Sequence, residues 1–504
     1  MSTRATRNGG PPEASVNGGP PEASVNGGGT EAISLRREPG RTRVAVIGGG
    51  AAGTLSAVHL LRRVEEGGLE VTLVDANADF GPGLAYGTSD PQHLLNVPAC
   101  RMGGISGHPE HFHEWARERG SEAGPEEFLP RGLYGTYLRS LLDETEAACA
   151  RRARLERRGG EVVSLSVPRS STSPLILGLA DGGRVEADQV VLALGPLKGG
   201  DPIAIPEELR ENGVYVPEPW APGALDPIRA DEKVLIIGTG LTTVDVVLSL
   251  SSGGRGPRIR AVSRHGLLPR RHRREITEIK RFPVPLEDGR LEPIVAAVFE
   301  QIGRVSAQGG DWRDVFDSMR LATPTIWRSL QVEEKRRFLD GLQRLWDVHR
   351  FRMAPDVADR FEALQDEGRL RVDARSIVAL DPRQRGVRVS LHAVGREELE
   401  ILDVDRVVNC TGAGASLARQ APPLVRDLLA TGSARPDPLG LGLDVAGDGA
   451  LVDATGRVSE RIRVVGQLRK GIEWEAIGVT EIRDHAQAVA AALFATVERP
   501  QRVA

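Results

Sequence analysis

The sequence predicts an α/β chain of two related halves with a helical insertion. Three observations carry this. A short apolar run leads into a glycine-rich turn at residues 43–53 and again at residues 233–242. Each occurrence is followed later by hairpin-like alternation, an aspartate, an apolar run and a closing glycine: ADQVVLALGP in the first half, VDRVVNCTGAG in the second. Between residues 276 and 365 strand-like runs disappear and helical stretches take over.

Residues 1–40 are set apart. NGGPPEASV occurs at Asn8 to Val16 and again at Asn17 to Val25. A segment this rich in Gly and Pro cannot bury enough surface to offset its ordering entropy, so a disordered tail is expected.

In RVAVIGGGAAG, Val44 to Ile47 read as a buried parallel strand. Gly48, Gly50 and Gly53 follow at G-x-G-x-x-G spacing, and Leu55, Val58 and Leu61 then fall at helical spacing. A second apolar strand, Val71 to Val74, ends at Asp75, about 20 residues on. Strand, glycine turn, helix, strand and acid together form the dinucleotide fingerprint of a Rossmann-like unit. The glycines permit the turn, let a pyrophosphate approach the backbone and let helix pack on strand. The helix N-terminus offers free N–H groups to phosphate, and Asp75 would accept a ribose hydroxyl.

Gly81 to Gly104 is a long Gly- and Pro-punctuated loop with an apolar, Asn-bearing middle at Leu94 to Pro98. Loops of this length tend to be functional, and a cofactor contact is expected here. His108, His111 and His113 follow at a helix start; i and i+2 do not share a helix face, so no metal site is expected. Residues 161–195 alternate like strands: EVVSLSV, PLILGLA, a DGG turn, then RVEADQVVLALGP with a strand at Val190 to Leu194.

Lys233 to Ile237 restarts the pattern, and Gly238 and Gly240 hold the first two glycine positions. Thr243 stands at the third, which implies looser packing or an offset helix. After the next strand, where an NAD site places an acid, the chain has Ser263 and Arg264. A guanidinium there suits a 2′-phosphate, and so NADPH. Most of Trp312, Trp327 and Trp346 are expected in the core of the helical insertion. Strands return at Arg369 to Val372, Val387 to Leu391, Leu399 to Leu402 and within DVDRVVNCTGAG. Near the end, Ile462 to Val465 is a strand closing at Gly466-Gln467, and Thr480 is placed to cap a last helix running to about Val497. The domain plan is therefore a tail (1–40), a first nucleotide unit (41–228), a second (229–410, with the helical insertion at about 276–365), and a return to the first (411–504).

A net charge of −4 over 504 residues excludes an electrostatic case for nucleic acid or anionic membrane partners. No apolar run approaches the about 20 residues of a membrane helix. With no apolar signal core at the N-terminus, a cytoplasmic location is expected. Cys100, Cys149 and Cys410 are far apart and form no C-x-x-C redox pair.

The order of these motifs resembles that of flavoproteins with two dinucleotide-binding domains. More narrowly, GPGLAYGT, HLLNVPA, GTGLTTVD, SRHGLLP, NCTG and VVGQLRKGIEWE resemble the bacterial FAD/NAD(P)-binding family that includes the YdhS-like proteins, across about residues 42 to 495. The resemblance implies FAD on the first fingerprint and NADPH on the second. It puts Gly48, Gly50, Gly53 and Asp75 on FAD-binding positions, with Asn96 and Pro98 along the flavin loop and Gly466 as the late flavin glycine. Gln467 stands where many relatives of the broader fold carry Asp. Gly238, Gly240 and Arg264 fall on NADP-binding positions. Well-understood members are N-oxygenating monooxygenases of natural-product and antibiotic pathways; the nitrosuccinate synthase branch oxidises the amine of L-aspartate. The implied partners are O2 and a small amino-acid substrate. An acidic substrate would need an arginine pocket, for which Arg350 and Arg352, and Arg469 with Lys470 before Trp474, are candidates. A flavin reductase without oxygen insertion and a non-catalytic nucleotide sensor would share the same cofactor motifs.

Overall fold

The computed structural model describes residues 41–498 apart from 65–67, 171, 255, 276–280, 287, 394, 396–397 and 415. The tail expected at 1–40 lies outside the described residues.

Strand β1 (Thr42–Ile47) leads through α1 (Ala51–Arg63) to β2 (Leu69–Asp75), paired in parallel with β1. The following loop holds the one-turn helix α2 (Gly83–Tyr86); α3 (His111–Glu118) and α4 (Arg131–Cys149) then return the chain to β3 (Ala153–Gly159). β4 (Val162–Ser166), β5 (Leu175–Leu179) and β6 (Arg184–Ala187) form a small antiparallel sheet, and β7 (Gln189–Leu192) rejoins the main one beside β1. The alternating run RVEADQVVLALGP is thus two strands in two sheets, and the second ends at Leu192, short of Leu194. The break falls at Asp188, whose carboxylate accepts the Arg43 amide at 2.9 Å and pins the crossing point to β1.

After α5 (Glu207–Glu211), the short β8 (Tyr215–Val216) already belongs to the second sheet, paired with residues 407–408. The first unit therefore does not run unbroken to residue 228. β9 (Lys233–Ile237), α6 (Leu241–Leu250) and β10 (Arg258–Ser263) repeat the strand–helix–strand unit. The helical lobe follows: α7 (Leu291–Ala307), α8 (Trp312–Ser329), α9 (Val332–Arg337), a π turn at Phe338–Leu342 and α10 (Gln343–Arg350). α11 (Pro355–Asp366) leads into β11 (Leu370–Ala374), which runs parallel to β10. Val357, Ala358 and Phe361 of α11 bury in one cluster with Val244 and Val247 of α6. α11 is therefore the crossover helix of the second sheet, although helical spacing alone places it in the 276–365 insertion.

β12 (Ser376–Pro382), β13 (Val387–His392) and β14 (Leu399–Val404) form a second small antiparallel sheet, and β15 (Arg406–Asn409) slots beside β9. After α12 (Leu417–Gln420) and α13 (Pro423–Ala430), β16 (Ala450–Val452) and β17 (Val458–Val464) return to the first sheet, and α14 (Val479–Glu498) packs along α1. Gly478, not Thr480, fronts this helix: the Ile482 amide donates to the Gly478 carbonyl at 2.8 Å, so Thr480 is already inside the first turn.

The main sheets have orders β16-β17-β7-β1-β2-β3 and β11-β10-β9-β15-β8. Alternation within β1 serves both faces of the first. Val44 and Val46 pack towards α1, α4 and α14, while Ala45 and Ile47 pack on the opposite face. Each fully buried aliphatic side chain of Val or Ile size contributes about 1.5–3 kcal/mol, which is why these runs read as continuously apolar. No helix among the described residues is long and apolar enough to cross a membrane.

Candidate functional site: two glycine turns and the seam between them

At the first turn Gly48 sits at φ +106°, and its amide donates to the Val74 carbonyl at 2.8 Å. A Cβ on Gly48 would lie 2.2 Å from the Ala193 carbonyl oxygen, and one on Gly53 would lie 1.7 Å from the Gly48 oxygen. Neither position admits a side chain. Gly50 precedes α1 with no side-chain cap and no acid in the first turn, so the helix presents bare amide donors. Gly50 also faces Gly83, and two glycines in apposition keep side chains out of that approach. Asp75 accepts from the Gly49 amide at 2.8 Å and from the Asn77 amide at 2.9 Å, which fixes the turn. Gly466, at φ +86°, lies against Ala52 in the first turn of α1, and Gln467 opens the short 3₁₀ turn Gln467–Arg469 beside it. These features suit a pyrophosphate-linked cofactor: a clear backbone approach, an uncapped helix and an adjacent carboxylate.

The loop from Gly81 to Gly104 is firmly held. Pro98 is buried, and the Asn96 carbonyl accepts from His272 Nε2 at 3.1 Å. Burial, followed by the Arg352 charge, pushes His272 down to about 3. Further along, Arg483 of α14 donates to the Gly103 carbonyl at 2.9 Å, and His59 lies 3.2 Å from that of Gly104. His108, His111 and His113 engage Glu114, the Tyr137 hydroxyl and the Ala123 carbonyl respectively.

The second turn repeats the first. Gly238 sits at φ +119°, and a Cβ there would lie 2.3 Å from the Cys410 oxygen. Gly240 fronts α6, again uncapped, with open space where a Cβ would stand. Thr243 is fully buried in the register of Gly53, so α6 is not offset. Thr239 Oγ1 lies 2.8 Å from Ser263 Oγ and donates to the Leu267 carbonyl at 2.6 Å. Arg264 and His265 are exposed just beyond β10, and Arg264 makes no ion pair among the described residues.

Motif reading alone does not find the seam joining the halves. Arg131, at the start of α4, forms an ion pair with the buried Asp245 of α6. Asp245 is pushed up by burial, against the pull of Arg131. His93 lies 2.7 Å from Thr88 Oγ1 and 2.9 Å from Ser249 Oγ, and Ser249 donates to Asp90 at 2.8 Å. The trace of this in the sequence is the acid in GTGLTTVD, which has no role in a phosphate turn.

The arginine candidates are placed differently from an open carboxylate pocket. Arg350 pairs with Glu475 at 2.9 Å, Arg352 with Asp317, and Arg469 with Glu473 at 2.8 Å. Burial explains this, because an unpaired charge inside a protein is costly. Burial pushes Glu473 up, but hydrogen bonding to His485 and the Arg469 charge prevail and bring it down to about 2. Trp474 is core: its ring lies 4.8 Å from Trp327 and 5.3 Å from Phe338, with the Lys470 ammonium 4.5 Å from its centroid. Trp327 is buried, as expected, whereas Trp312 and Trp346 are half-buried.

Comparison with known proteins agrees with this geometry. A family described as FAD-NAD(P)-binding matches residues 45–197. The L-aspartate N-monooxygenase (nitrosuccinate-forming) of Streptomyces davaonensis is 28% identical over 317 residues, covering 58% of this chain and 46% of that protein, so the chain spans about half of its relative's length. Among solved structures, the ornithine N-hydroxylase of Kutzneria sp. 744, with reduced FAD, NADP+ and L-ornithine, superposes with a TM-score of 0.60 at 15% identity, covering 91% of this chain and 99% of that one. The L-lysine 6-monooxygenase of Pseudomonas syringae gives 0.58 at 17% identity, covering 90% and 99%. The chain therefore carries an FAD-NAD(P)-binding domain at residues 45–197 and shares the overall fold of the two-domain FAD/NAD(P) flavoproteins.

Proposed function

We propose that the protein is an FAD-dependent, NADPH-using monooxygenase that oxygenates the amine of a small amino acid, with L-aspartate the first substrate to test. The observation that carries this reading is the likeness over 317 residues to an L-aspartate N-monooxygenase, in a chain whose two glycine turns both front uncapped helices. Gly48, Gly50 and Gly53 bind the FAD pyrophosphate, Asp75 a ribose hydroxyl, and Asn96, Pro98, Gly466 and Gln467 border the flavin. Gly238 and Gly240 receive the NADPH pyrophosphate, and Arg264 its 2′-phosphate. The flavin, when bound, supplies electron transfer from NADPH and activation of O2. The chain's own part is to hold the amine beside that centre and to exclude water. One oxygen atom enters the N–H bond to give the hydroxylamine; the other leaves as water, with both electrons coming from NADPH. A nitro product requires further rounds of the same step. Natural-product metabolism is the expected setting.

The rival reading, a flavin reductase, gains nothing from the cysteines. Cys100, Cys149 and Cys410 are all free, and the latter two are buried. The test is to incubate the FAD-loaded protein, NADPH and O2 with a panel of amino acids while following O2 uptake and product mass. Amine-dependent, coupled uptake with a product heavier by one oxygen, or by two oxygens less two hydrogens for a nitro product, supports the proposal. NADPH oxidation that requires an added acceptor and leaves the amino acids unchanged refutes it.

A further inference from the structure

Three Arg–carboxylate pairs gather where the helical lobe meets the segment before and within α14. Arg350 pairs with Glu475, Arg352 with Asp317, and Arg320 with Glu481. Asp317 and Arg320 share one face of α8, and Arg350 and Arg352 lie at and just past the end of α10. Both Arg320 donors use the same oxygen of Glu481, Oε1.

Each pair leaves something over. Nε of Arg350 and of Arg352, Oε1 of Glu475 and Oε2 of Glu481 are buried without a hydrogen-bond partner, as is the indole Nε1 of Trp346, one helical turn before Arg350. Arg352 is 2% exposed and Glu475 3%. Native interiors leave few such atoms unpaired, and a concentration of them needs an explanation. These five comprise three donors and two acceptors. The six charged side chains are balanced, three against three. A ligand that satisfied the whole set would bring acceptors to the three donors and donors to the two acceptors.

We infer that this cluster is the seat of the amino-acid substrate, with Nε of Arg350 and Arg352 donating to its carboxylate and Glu475 Oε1 accepting from its amine; this rests on the proposal that an amino-acid amine is oxygenated. The segment carrying Glu475 begins at Gly466 against the N-terminus of α1, and His272 beside Arg352 holds the Asn96 carbonyl. The seat thus adjoins both elements that border the flavin. Glu475 is a positioning residue for the amine, and the paired charges explain how guanidinium groups are kept in place before substrate arrives.

The experiment is equilibrium binding to the FAD-loaded full chain, read by intrinsic tryptophan fluorescence, because Trp474, Trp327 and Trp346 lie around the cluster. The twenty proteinogenic amino acids are titrated, and the tightest is compared with its deaminated counterpart, succinate in the case of aspartate. Glu475→Gln is expected to weaken the amino acid at least tenfold and the deaminated acid less than twofold. Arg352→Lys keeps the charge opposite Asp317 but removes the Nε donor, and is expected to weaken both at least tenfold. Unchanged FAD content establishes that the variants fold. No binding from the panel, equal weakening of both ligands by Glu475→Gln, or no effect of either variant overturns the seat. NADPH oxidation is followed in parallel. Binding with the expected pattern but no amine-dependent turnover keeps the seat and refutes N-oxygenation. Amine-dependent turnover indifferent to both variants does the reverse.

Discussion

In the first half β2 ends at Asp75, and in the second half β10 ends at Ser263. Both reach back to the middle residue of their own glycine turn. Asp75 takes the Gly49 amide, and Ser263 meets the Thr239 hydroxyl at 2.8 Å. The equivalence extends outward. Asp188 accepts the Arg43 amide near the start of β1 at 2.9 Å, and Asp405 accepts the Lys233 amide at the start of β9 at 2.8 Å. Gly48 and Gly238 are crowded by the carbonyls of Ala193 and Cys410, the residues that follow β7 and β15. The halves therefore share a backbone, and the side chains that differ at the turn include Gly49 against Thr239, Gly53 against Thr243 and Asp75 against Ser263. The divergence separates what the backbone demands from what the ligand demands. Close approach at the first glycine is common to both turns, whereas the third glycine and the acid are particular to the first.

The largest expected effect tests that split directly. Gly53→Ala should abolish FAD retention, because its Cβ meets the Gly48 carbonyl and Gly48 is itself braced by Ala193. Thr243→Ala at the matching position should change the KM for NADPH less than about threefold. Flavin absorbance and steady-state kinetics measure the two; equal damage from both would end the distinction. Next comes the seam. Asp245→Asn keeps the shape but removes the charge opposite the half-buried Arg131, and losing a hydrogen bond between charged groups costs about 1.5–3 kcal/mol. A fall in denaturation midpoint of corresponding size is expected, read by chemical unfolding.

Arg264→Ala should raise the KM for NADPH by about ten- to a hundredfold and leave NADH nearly unchanged, the worth of a charge-assisted contact of about 1.5–3 kcal/mol. Ser263→Asp, which copies the first half into the second, should shift preference towards NADH. Preference for NADH in the unaltered protein would show that this loop does not read a 2′-phosphate. The last expected effect is on pH. His59 on α1 is lowered to about 4 by burial, and His272 to about 3 by burial and then Arg352. Both are neutral when folded and take up protons on unfolding below about 6.5. Stability should therefore fall as pH drops from about 6.5 towards 4, by at most about 1.4 kcal/mol per pH unit for each histidine. His272→Gln should flatten the thermal profile over that window.

The glycine turns, their flanking strands and the restart at Lys233 were legible in the sequence because period and spacing are local signals. What escaped was set by distant partners. The pairing of β8 with β15 depends on residues some 190 positions away, which no local pattern at Tyr215–Val216 announces. α11 has ordinary helical spacing; only its packing on α6 assigns it to the second sheet. Arg350 and Arg352 looked like free cations because Glu475 and Asp317 come from other elements. The seam acid Asp245 stood in plain view within GTGLTTVD, but its partner Arg131 lies in the other half.

The order β16-β17-β7-β1-β2-β3 also carries a consequence for synthesis. β7 ends at Leu192, whereas its neighbour β17 begins at Val458. The second sheet, by contrast, is drawn entirely from residues between Tyr215 and Asn409. At about 5–20 residues per second, the ribosome takes on the order of tens of seconds to supply the strand that covers β7. For that interval the half translated first has an open strand edge, and open edges invite pairing with other chains. The inner unit closes while the outer one waits, so the outer half begins first and finishes last. Any stall in translation between the two strands lengthens its exposure to aggregation.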